Sequence, residues 1–178
     1  MRFHFALMTL VIAAWGAATG PAWALAGCDA FTAALRSGAS DMGVDFSRAV
    51  VVSRTRSDAT VFDVTTRVDV DATLSCRGDE FLRFDARVSQ PANARTATNF
   101  ERFQTAALRA ALGWDTGKSR SVLHGLNDDA REFLDASRQR GDVYVAGKTE
   151  EHEAGGVSLG MMATDSDKTF VIVGPAAQ

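Results

Sequence analysis

From Phe62 to Cys76 the chain alternates with a period of two. Phe62, Val64, Thr66, Val68, Val70, Ala72, Leu74 and Cys76 are apolar or small, and every residue between them is polar. Such a run predicts one long antiparallel strand with a buried face and a wet face, ending on an inward-pointing cysteine. Phe81 to Gln90 alternates in the same way, with Leu82, Phe84, Ala86 and Val88 on one face. Val44 to Ser53 reads as an earlier strand, followed by a polar turn over Arg54 to Asp58. Three strands joined by short turns form a meander. Side-chain parity then sets the second hairpin: Cys76 opposite Leu82, Leu74 opposite Phe84, Ala72 opposite Ala86, Val70 opposite Val88 and Asp71 opposite Arg87. That register leaves Arg77 to Phe81 as the loop.

Elsewhere the apolar spacing is helical. Cys28, Phe31 and Leu35 share one side of a short helix over Asp29 to Ser37, with Gly38 to Gly43 stopping it. Phe100, Phe103, Ala107, Leu108, Ala111 and Leu112 form a stripe behind Asn99 as N-cap, with Gly113 as the stop and Pro91 to Thr98 as a preceding loop. Lys118 to Arg138 is a second helical block, with a break expected at Gly125 to Asn127. Strand signals return over Asp142 to Gly147, Val157 to Thr164 and Lys168 to Val173, with Asp165 to Asp167 as the last hairpin turn. The expected fold is α+β: an antiparallel sheet of five or six strands with helices packed on one face, in the order α-βββ-αα-βββ.

The N-terminus bears on location. Arg2, the apolar stretch Ala6 to Ala18, the break at Gly20-Pro21 and the small residues of Ala22-Trp23-Ala24 read as an export signal over residues 1–24. The apolar stretch is short of the ~20 residues that span a bilayer, and no later stretch qualifies. Residues 25–178 then form a single domain that is periplasmic or secreted. Leu25-Ala26-Gly27-Cys28 also reads as a lipobox, which makes a lipid anchor at Cys28 the alternative. A disulfide between Cys28 and Cys76, the only two cysteines, is favoured because an exported pair is oxidised by default and acylation would orphan Cys76.

The formal net charge of −3 is spread among interspersed arginines and acids. It offers no basic face for nucleic acid and no basic amphipathic helix for a membrane surface.

Candidate chemistry is thin. Gly156-Val157-Ser158-Leu159-Gly160 spells the G-x-S-x-G elbow, but a strand is expected after Ser158 instead of a helix, and no histidine follows it. Gly113 to Ser119 and Asp142 to Thr149 are near-misses to a phosphate loop. Glu150-Glu151-His152-Glu153 cannot converge on a metal without a folded-back loop. His124 reads as a packed or surface histidine. Arg77-Gly78-Asp79 and Arg140-Gly141-Asp142 read as turns. No catalytic, cofactor or metal residues are therefore assigned, and the disulfide Cys28–Cys76 is the one site. The function expected is non-enzymatic binding, with an unidentified protein or small ligand as partner. A hydrolase-type enzyme, or an envelope assembly factor anchored through Cys28, is the alternative.

Overall fold

The computed structural model describes residues 27–44, 54–56, 59–66, 69–142, 146–148, 152–154 and 156–175. The leader reading of residues 1–24 lies outside them, as does nearly all of the strand expected from Val44.

The element order is α1 (Gly27–Asp41), β1 (Arg54–Arg56), β2 (Ala59–Thr65), β3 (Asp71–Arg77), β4 (Glu80–Ser89), α2 (Ala94–Leu112), α3 (Thr116–Arg140), β5 (Ala146–Lys148), β6 (His152–Ala154), β7 (Val157–Thr164) and β8 (Asp167–Val173). The five longer strands lie side by side in the order β2-β3-β4-β8-β7, every neighbouring pair antiparallel. The three-residue strands extend this sheet: β1 beside β2, and β5 and β6 beside β7. Helices cover one face, as the alternation requires. Phe84, Ala86, Leu159, Phe170 and Ile172 on the sheet meet Phe31, Leu35, Phe103 and Leu108 from the helices in one buried cluster.

The long strand expected over Phe62 to Cys76 is instead a hairpin. β2 ends at Thr65, and β3 begins at Asp71 and returns antiparallel, with Phe62 opposite Leu74 and Val64 opposite Ala72. Among the described residues of the connection, Thr66 and Asp69 stand out. The Thr66 hydroxyl donates to the Val70 carbonyl at 2.8 Å and accepts from its N–H at 3.3 Å. Asp69 takes a left-handed conformation, φ 54°, which short polar side chains tolerate better than most. A turn with an odd number of residues returns even positions to the face they left, so alternation passes through it unbroken.

The β3–β4 hairpin keeps the expected register from Asp71↔Arg87 to Leu74↔Phe84. It departs at Cys76, which pairs with Phe81 instead of Leu82 across a bulge after Ser75. The bulge lets the turn close tightly on Gly78 (φ 58°) and Asp79, and it buries the adjacent residues Phe81 and Leu82. Val70 falls in the turn, outside the ladder.

The helices run longer than the apolar stripes. α1 continues through Gly38, which lies against Ala106 of α2, and stops at Gly43 (φ 68°). α2 starts on Asn93, not Asn99: the Asn93 carboxamide oxygen accepts from Thr96 N–H at 2.9 Å. α3 crosses Gly125 without a break. Asn127, at the end of the expected break, donates its amide to the Leu123 carbonyl at 2.8 Å inside the continuous helix. An exposed mid-helix glycine costs only about 1 kcal/mol, which a helix capped by Asp115 and Gly141 carries. Arg54 to Arg56, expected as a turn, forms β1.

Candidate functional site

Cys28 and Cys76 are joined, with their Cα atoms 6.2 Å apart. The bond ties the first turn of α1 to the end of β3. The β3–β4 turn closes the same corner, since the Asp79 carbonyl accepts from Cys28 N–H at 2.7 Å and the Asp79 carboxylate accepts from Asp29 N–H at 3.0 Å. A carboxylate at a helix N-terminus meets unpaired N–H groups and the positive end of the dipole. Gly27 makes the approach possible: at φ 81°, a Cβ there would lie 2.9 Å from the Asp79 carbonyl oxygen. Arg77-Gly78-Asp79 is thus a helix-capping turn.

Beside this corner, between α1 and the sheet, lies a cavity of about 160 Å³. Phe31 and Leu35 of α1, Phe62 and Val64 of β2, Leu74 of β3 and Phe84 of β4 form its walls, with the disulfide at one end and Asp29, Thr32 and Gly78 at its edge. The Thr32 hydroxyl is committed to the Cys28 carbonyl at 2.7 Å. The even face of β2 and β3 forms the floor of a space roofed by α1. Phe103 of α2 packs on Phe84, with ring centroids 5.9 Å apart. Sequence reasoning missed this cavity because no single residue marks it.

A second, shallower groove of about 300 Å³ runs between α1 and α2, lined by Ala34, Ser37, Gly38, Asp41, Arg109, Ala110, Gly113 and Trp114. The Lys118 ammonium sits 4.3 Å from the centre of the Trp114 ring.

The sheet face away from the helices carries several ion pairs. Arg83 grips Asp85 with bonds of 2.7 and 2.8 Å, and Arg87 reaches Asp71 at 3.8 Å and Asp167 at 4.0 Å. The Asp85 hydrogen bond raises the Arg83 pKa against the opposing cost of burial. On the helix side, Lys168 is half-buried and donates to Asn127 at 2.8 Å. Burial, and then Arg131 nearby, lower its pKa.

The motifs fall apart in space. Ser158 lies within β7, which continues to Thr164, so the sharp strand-to-helix turn of a nucleophile elbow is not formed. His124 is exposed on α3. His152 and Glu153 are in β6, and Glu150 and Glu151 lie outside the described residues. The Gly113 to Ser119 near-miss is the α2–α3 connection, where Asp115 already occupies the helix N-terminus through Lys118 N–H at 2.8 Å. Asp142 to Thr149 is described only in part, with Gly147 and Lys148 in β5. Arg140-Gly141-Asp142 ends α3, where Asp142 accepts from the Ser137 hydroxyl at 2.6 Å and Arg140 at 2.9 Å. Among the described residues, no three His, Cys, Asp or Glu side chains gather as a metal site, and no helix is long and apolar enough to cross a membrane.

Comparison with protein-family models, with curated proteins and with solved structures finds no match.

Proposed function

We propose that this chain is an exported binding or accessory protein of the bacterial envelope, and that it takes a small apolar guest in the cavity beneath α1. The cavity carries the reading. It is walled by aromatic and aliphatic side chains, has polar groups only at its edge, and is fastened by a disulfide. Ligand sites combine apolar walls with a few polar groups that orient the guest. An oxidised cysteine pair is the habit of exported chains, which supports the leader reading of residues 1–24. The sulfur of Cys28 cannot be both disulfide and thioether, so the lipid-anchored alternative requires Cys76 to be free. Intact mass of the protein recovered from the envelope separates the two.

Binding is tested by adding toluene to isotopically labelled protein. Amide and methyl shifts clustered at Phe31, Leu35, Val64 and Leu74, and lost in a folded Val64→Phe variant that fills the space, support the reading. Shifts that are absent, or unchanged in the filled variant, refute it.

A further inference from the structure

We propose that the cavity beneath α1 discriminates by charge, admitting neutral and cationic guests the size of one ring or a short alkyl chain and rejecting carboxylates. The inference rests on the cavity being a binding site and adds the ligand class. Size follows from volume. A space of about 160 Å³ is close to the ~150 Å³ apolar cavity known to hold benzene.

Charge follows from the edge. Among the described residues, Asp29 is the one ionisable side chain in the lining. The α1 N-terminus would ordinarily favour an anion, but Asp79 already occupies the N–H groups of Cys28 and Asp29. An anionic guest would meet the Asp29 carboxylate at a helix end where two of the N–H groups, those of Cys28 and Asp29, are already taken by Asp79. Among the described residues of this corner, the basic side chain Arg77 is half-exposed and turned to Glu80 at 3.7 Å. The hydroxyl of Thr32 is spent on the Cys28 carbonyl. An ammonium or hydroxyl one carbon beyond a ring would instead rest at the Asp29 edge with its ring among Phe31, Leu74 and Phe84.

Three probes of one shape test this by protein-observed NMR titration at neutral pH: benzylamine, benzyl alcohol and benzoate. Benzyl alcohol and benzylamine are expected to bind. Benzylamine should exceed benzoate about fivefold or more, a preference that shrinks toward unity at high salt. Asp29→Asn should narrow the amine's advantage and leave benzyl alcohol unchanged. Equal binding of all three, or benzoate the tightest, overturns charge selection while leaving the cavity a binding site. Binding by none of them overturns the binding reading as well.

Discussion

Phe62 and Leu74 face each other across two antiparallel strands, although the alternating run that contains them reads as one strand. The pair fixes which residues are wet and which are dry on both strands of the hairpin.

Leu74 is buried beneath α1, and Thr73 points to the other face between Asp63 and Asp85 on the neighbouring strands. Leu74→Asp should abolish cooperative unfolding, since an unpaired buried charge is costly. On the open face the sign of the new charge matters. Thr73→Lys should change stability by less than about 0.5 kcal/mol or raise it, while Thr73→Asp should lower it through repulsion. Equal urea midpoints for Leu74→Asp and Thr73→Lys would contradict the facing assigned to β3.

The turn that makes the hairpin depends on Asp69. At φ 54° a β-branched residue is strained by roughly 1–2 kcal/mol and glycine by none. Asp69→Val should therefore lose about that much in chemical denaturation, whereas Asp69→Gly should stay near wild type.

These residues mark what was legible in the sequence and what was not. Parity survived at nearly every described strand position, because the hydrophobic effect acts on each side chain separately. It could not reveal the turn at 66–70, since an odd turn preserves parity, nor the bulge at Cys76, where Phe81 and Leu82 are both buried. Helix ends were misplaced where caps, not apolar stripes, decide them: residues 94–98 of α2 are mostly exposed and carry no periodic signal. Pairing Cys28 with Cys76 rested on their number together with the export reading, against the lipobox at Cys28. The cavity needed the relative placement of α1 and three strands, which no local pattern encodes.

The disulfide encloses a long loop, with a sequence separation of 48. In the chain-entropy model such a crosslink is worth ~4 kcal/mol. Reduction, or the paired change Cys28→Ser with Cys76→Ser, should lower stability by an amount of that order in urea melts. It should also increase hydrogen exchange in the first turn of α1. A fully reduced protein with an unchanged midpoint would count against the bond as a restraint.

Acid should loosen the C-terminal end of α3. The Ser137 hydroxyl, and next Arg140, hold the Asp142 carboxyl below the usual carboxylate range. A depressed carboxylate contributes stability that is present above its unfolded pKa and lost as pH falls through its folded one. Ser137→Ala removes the larger cause, so the Asp142 titration followed by carboxyl carbon NMR should move upward toward the ordinary value. An unmoved titration would assign the shift to Arg140 alone.

Ser119 sets the sharpest contrast between phosphate-loop and structural readings of the α2–α3 connection. Its hydroxyl is fully buried in α3 and has no hydrogen-bond partner among the described residues. A buried unsatisfied hydroxyl costs ~1–3 kcal/mol, and alanine is the better helix former. Ser119→Ala removes a polar group and adds no bulk, so the core around it need not shift. The variant should be as stable as the wild type or more stable by up to about 1 kcal/mol, measured by thermal and urea melts together. If the hydroxyl served a ligand, its loss would abolish binding of an added nucleoside triphosphate. Titration with that nucleotide should leave the spectra of both proteins unchanged. A marked loss of stability in Ser119→Ala would mean that the hydroxyl has a partner, such as a buried water, and would reverse the prediction.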